Sequence, residues 1–137
     1  MKKGTDYTLT YAKGRKKVGN YSVKITFIEN YTGTVTKYFK IKPVKTYITS
    51  LTKGKKAFTV KISKKSVQVT GYQVRYSRSS KFSSYVTKTI TSYKTTKKTV
   101  TGLATKKKYY VKVRTYKTVN GTRYYSGWSN VKSIKTK

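Results

Sequence analysis

Leu103-Ala104-Thr105-Lys106-Lys107-Lys108-Tyr109-Tyr110-Val111-Lys112-Val113 ends in strict alternation. In an extended chain Tyr109, Val111 and Val113 fall on one face, and Tyr110, Lys112 and Arg114 on the other. An apolar face backed by a cationic one is the pattern of a strand with one side buried and one side wet. No window here, or anywhere else in the chain, keeps apolar residues at helical spacing.

The same period extends outward from this stretch. Upstream, Ile48 and Leu51 open a unit in which Phe58, Val60 and Ile62, then Tyr72, Val74 and Tyr76, alternate with polar residues. Residues 86–90 and 100–103 are shorter strand candidates. Downstream, Asn120-Gly121 accepts positive φ at both positions and predicts a tight type I′ hairpin. Trp128, Val131 and Ile134 are assigned to the last strand. Seven short strands and no helix in about ninety residues predict a β-sandwich.

Towards the N-terminus, Tyr7, Leu9 and Tyr11 share one face, as do Tyr21, Val23, Ile25 and Phe27, and Val35, Phe39 and Ile41 mark a third strand. Residues 14–17 and 30–33 read as turns between them. Pro43, the only proline, biases the residue before it to extended geometry and suits a linker, with the boundary near residues 43 to 46. Two units are expected, 1–43 and 44–137. Three strands with one apolar face cannot bury that face alone, so Tyr21, Val23, Ile25 and Phe27 are expected to pack outside their own sheet. The second unit or self-association through residues 18–41 would cover them.

Composition narrows the chemistry. The 137 residues carry 34 Lys and Arg against two acids, Asp6 and Glu29, for a net charge of +32. Such a balance usually marks disorder, but 15 tyrosines and alternating Val and Ile argue for a folded chain. Without His or Cys there is no imidazole base, thiolate or disulfide, and a carboxylate pair would have to be Asp6 and Glu29. Zinc and calcium sites lack their usual ligands. No enzyme, metal or cofactor is expected. No stretch is apolar enough for a transmembrane helix, and Met1-Lys2-Lys3 is not followed by the apolar core of a signal peptide.

Residues 45–137 resemble a fibronectin type III domain. Phe58-Thr59-Val60-Lys61-Ile62 matches the family's second strand, and Gly71-Tyr72-Gln73-Val74-Arg75-Tyr76 its third. The most specific likeness is Leu103 six residues before Tyr109, followed by alternating valines. It implies that Tyr109 is a tyrosine-corner residue whose hydroxyl bonds backbone near Leu103. Ile62 departs from the pattern, since the family usually carries tryptophan there. Gly4-Thr5-Asp6-Tyr7-Thr8-Leu9-Thr10-Tyr11 and Asn30-Tyr31-Thr32-Gly33-Thr34-Val35-Thr36-Lys37 are similar to the tail of a bacterial Ig-like repeat. The pairing implies a lysine-rich surface protein of Gram-positive bacteria, hence an extracellular setting.

The charge is the main functional signal. Uncompensated cations attract any polyanion through counterion release, with steep salt dependence and little sequence preference. Nucleic acid, acidic glycans and teichoic acid are the expected partners of a cationic binding and spacer module. A narrower candidate is the outward face carrying Gln73, Arg75, Tyr110, Lys112, Arg114 and Tyr116, where cations and aromatics could hold phosphates and stack bases or sugars. The bland alternative is cross-strand pairing in a lysine-rich sheet. A second reading is a supercharged scaffold, engineered or natural, that binds nucleic acid, penetrates cells and delivers cargo. A dedicated nucleic-acid regulator ranks last, without a recognition helix or zinc finger. Asn20-Tyr21-Ser22, Asn30-Tyr31-Thr32 and Asn120-Gly121-Thr122 are glycosylation sequons of the kind Ser/Thr-rich chains produce by chance. Glu29 beside Asn30 is the nearest approach to an acid-promoted Lys–Asn isopeptide site, at a turn where exposure is expected.

Overall fold

A computed structural model describes residues 3, 7–13, 16–28 and 33–137. Asp6, Glu29 and the sequon at Asn30 lie outside the described residues, as do parts of the two N-terminal turns. The chain divides into two compact units, Met1–Lys42 and Pro43–Lys137.

The first unit is one antiparallel sheet of β1 (Tyr7–Tyr11), β2 (Gly19–Phe27) and β3 (Thr34–Ile41), in that order. The register sets Leu9 opposite Ile25, Ile25 opposite Val35, and Tyr21 opposite Phe39, so the apolar positions share a face. Phe39 packs between Tyr11 and Tyr21 on that face, with ring centroids 6.4 and 5.9 Å away. Among the described residues of this unit, no second sheet lies on the apolar face. An open hollow of about 350 Å³ lies against Tyr7, Leu9, Ile25 and Phe27.

The second unit is a two-layer sandwich. One sheet is β4 (Ile48–Gly54), β5 (Ala57–Ile62) and β8 (Lys97–Val100). The other runs β10 (Thr122–Tyr125), β9 (Lys108–Val119), β6 (Gly71–Ser77) and β7 (Val86–Ile90), with β11 (Lys132–Lys135) also on β9. Alternation puts Phe58, Val60 and Ile62 against Tyr72, Val74, Tyr76, Val111 and Val113, all buried. Ile62, where the resemblance expects tryptophan, is 3% exposed. Phe58 meets Tyr76 edge-on at 5.6 Å, an arrangement aromatic quadrupoles favour.

Buried tyrosine hydroxyls need partners, and they have them. The Tyr72 hydroxyl accepts from Lys65 N–H at 2.9 Å and donates to the Tyr93 carbonyl at 2.7 Å. The Tyr109 hydroxyl accepts from Ala104 N–H at 2.9 Å, while Leu103 N–H donates to Lys56 O. This bond ties the loop before β9 to the strand itself.

Two strand boundaries differ from expectation. β8 spans Lys97–Val100, and residues 101–103 leave the sheet as Gly102 turns through φ +73°. Trp128 and Val131 lie outside any strand, because β10 and β11 are separated by residues 126–131. Asn120 and Gly121 both have positive φ, 49° and 79°, as a type I′ turn requires.

Candidate functional site

The break between β10 and β11 builds the site. Ser126 and Ser129 replace missing ladder bonds with their side chains. Each Oγ accepts a β9 N–H, from Thr115 and Val113 respectively, both at 3.0 Å. Their own N–H groups donate to the carbonyls of those same two residues. The chain therefore stays docked on β9 while Trp128, between the two serines, is turned over the outer face of the sheet.

That face carries three cations on adjacent strands. Arg75 on β6 pairs with Lys112 on β9, and Gln73 with Arg114. Trp128 contacts all three, its ring centroid 4.5 Å from the Arg75 guanidinium, 5.1 Å from the Lys112 ammonium and 4.2 Å from the Arg114 guanidinium. Tyr85 lies 3.9 Å from Arg75, and Tyr125 lies 3.8 Å from Arg114. The result is an alternating stack: Tyr85, Arg75, Trp128, Arg114, Tyr125. Lys112 also sits 4.1 Å from Phe82. Guanidinium planes suit such stacking because they are flat, permanently charged and weakly hydrated.

Hydrogen bonds fix the arginine heads. Arg114 donates twice to Gln73 Oε1, at 2.9 and 2.7 Å, and Arg75 Nε donates to Thr87 Oγ1 at 3.0 Å. Gln73 is 7% exposed, so it acts as a support beneath Arg114 and not as an open surface group. Among the described residues no Asp or Glu neutralises the cluster; the chain's two acids, Asp6 and Glu29, lie outside them. Burial, then the charges of Arg75 and Arg114, lower the proton affinity of the Lys112 ammonium. Burial and Arg75 act the same way on Arg114. Three like charges are thus held together by aromatic rings.

The structure brings Arg75, Lys112 and Arg114 together and separates the tyrosines. Tyr110 stays half-buried at the flank, opposite Ser77, with Lys108 5.3 Å from its ring. Tyr116 is not an outward stacking ring: it is 2% exposed. Strand parity points it outward as expected, but it lies over Gly71, where its ring meets no Cβ. Its hydroxyl donates to Ile90 O at 3.5 Å, and Arg123 and Tyr125 cover it. Tyr109 and Leu103 belong to the core corner described above. Trp128, Tyr85, Phe82 and Tyr125 were missed by strand parity. The signal that could have found Trp128 is a tryptophan framed by two serines three residues apart.

No protein-family model matches the sequence, and no curated protein sequence does either. Among solved structures, the chain is similar to a crystal structure of domains A168-A170 from titin, with a TM-score of 0.50 at 14% identity. The match covers 99% of this chain and 50% of that one, so the chain spans half the length of its titin neighbour. The fold is an Ig/fibronectin-type-III-like β-sandwich with an added three-stranded β unit. At that identity the likeness is one of fold, and titin's own roles stay with titin.

Proposed function

We propose that the chain is a non-catalytic, strongly cationic binding and spacer module that holds polyanions electrostatically, with Arg75, Lys112 and Arg114 as its principal contact. The observation that supports this most is the clustering of three cations that no carboxylate among the described residues balances, held in place by Trp128, Tyr85 and Tyr125. An arriving phosphate, sulfate or carboxylate relieves their mutual repulsion while releasing its own counterions. Much of each guanidinium's stacking surface is occupied, but only some of its N–H groups are bonded, and these suit anionic oxygens. Catalysis has no support in a chain without His or Cys. An extracellular bacterial setting rests on the sequence resemblance alone, and there teichoic acids, acidic glycans and extracellular DNA are the polyanions at hand. No distinct observation favours the supercharged-scaffold reading over this one.

The test compares two triple variants that remove equal charge. Arg75→Gln/Lys112→Gln/Arg114→Gln acts on the stacked face, and Lys53→Gln/Lys61→Gln/Lys97→Gln on exposed lysines of the other sheet. Binding to DNA, heparin and teichoic acid is measured across salt concentrations. The first variant should lose about tenfold more affinity than the second, a difference of about 1.4 kcal/mol. Equal losses would show that the face is no defined site. Indifference of the unmodified chain to all three polymers in dilute buffer would end the reading.

A further inference from the structure

The loop between β6 and β7 supplies Phe82 and Tyr85 to the cationic face, and its other side borders an open cleft of about 410 Å³. Tyr76 and Tyr109, both buried, form the floor, and Arg78, Ser79, Ser84 and Tyr85 form the walls. We infer that this cleft is a site for one acidic sugar unit of a glycan, bound by shape and hydrogen bonds as well as by charge. The inference deepens the polyanion reading and rests on it.

The loop is fixed from within. Ser77 Oγ donates to the Ser84 carbonyl and accepts Ser79 N–H at 3.0 Å, which ties the two sides of the loop together. Phe82 takes a left-handed conformation, φ 54°, and its N–H donates to Ser79 O at 3.1 Å. On the outer face Lys112 holds Phe82, and Arg75 holds Tyr85. The cationic stack therefore positions one wall of the cleft.

The chemistry of that lining selects the ligand. Tyr85 is 52% exposed and offers an aromatic surface to the C–H face of a sugar ring. Ser79 Oγ accepts from Lys81 N–H at 3.2 Å and keeps its own proton to donate. Ser83 and Ser84 add hydroxyls that both donate and accept, as sugar hydroxyls do. Arg78 supplies the charge for a uronate, sulfate or phosphate ester, and its guanidinium lies 5.5 Å from the Tyr109 ring. The lining holds no Asn, Gln, Asp or Glu side chain to read an adenine or cytosine edge, and Arg78 is its one group suited to guanine. A sugar fits this inventory better than a base.

The experiment is a backbone amide titration of the full chain at about 0.5 M salt, where the Debye length is about 4 Å and long-range attraction is screened. The probes are a sulfated uronic-acid disaccharide, an uncharged disaccharide, a dinucleotide and inorganic sulfate. The charged disaccharide should give saturable shifts centred on residues 76–86 and 109. Tyr85→Ala and Arg78→Gln, both at exposed positions, should each weaken it by about tenfold. Arg123→Gln should leave it unchanged. Diffuse, unsaturable shifts across the lysines would overturn the inference, as would equal binding of sulfate alone or of the dinucleotide. Polymer binding in dilute buffer, measured in parallel, separates the two claims. Its loss sinks the polyanion reading, whereas its retention without disaccharide binding sinks the cleft alone.

Discussion

Replacing Trp128 with alanine removes the ring that Arg75, Lys112 and Arg114 share, and the cost can be worked from the contacts. Cation–π pairs at partly exposed sites contribute about 0.5–1 kcal/mol each, so three give about 1.5–3 kcal/mol. Losing the apolar contact of a half-buried indole adds about 1 kcal/mol. With a urea slope of about 1 kcal/mol/M, the resulting loss of about 2.5–4 kcal/mol should lower the unfolding midpoint of the second unit by about 2.5 to 4 M. Trp128→Phe keeps an aromatic face and should lose about 1 kcal/mol. Trp128→Leu keeps apolar area without the quadrupole, and should lose only the cation–π share, about 1.5–3 kcal/mol. Far-UV circular dichroism reads the transition in all three variants, none of which retains the chain's single tryptophan. If Trp128→Leu is as stable as the unmodified chain, the ring contributes only area and the stacking argument fails.

Three further outcomes follow from the same geometry. Tyr109→Phe leaves the part-buried Ala104 N–H without its acceptor and should cost about 1–3 kcal/mol by urea unfolding; a loss below about 0.5 kcal/mol would mean that water replaces the hydroxyl. Gly71→Ala places a Cβ 2.0 Å from the Ile90 carbonyl oxygen, so it should cost about 3–5 kcal/mol or abolish folding. Wild-type stability in that variant would mean that β6 and β7 slide apart without penalty. Stability against pH should carry the sign of Lys112. Its folded form releases the proton at lower pH than the unfolded chain does, so stability rises between the lowered folded value and the unfolded value near about 10.4. Tyr76 acts oppositely: burial, then Tyr109, raise its hydroxyl, so its share of stability falls as pH climbs past about 10. Lys112→Gln should flatten the rise and leave the fall.

The sandwich was legible because its inner faces obey period two. Phe58, Val60, Ile62, Tyr109, Val111 and Val113 have no wet alternative, and Asn120-Gly121 permits few turns. The outer face was legible only in part. Parity located Arg75, Lys112 and Arg114 on neighbouring strands, since register across β6 and β9 follows from the core. It could not show that Tyr116 lies over Gly71, because burial of an outward residue depends on what lies across it. Nor could it show Trp128 leaving the sheet, since that path rests on two serine hydroxyls standing in for backbone groups. Serine looks the same in sequence whether it faces water or caps a strand.

The stacked face also separates its three cations from the rest in entropy. A free surface lysine that grips an anion gives up as much as about 2 kcal/mol of rotamer freedom. Folding has already taken that freedom from Arg75, Arg114 and Lys112, so an anion landing on them freezes little that was still moving. A molecule charged nearly everywhere can in this way still offer a preferred landing place.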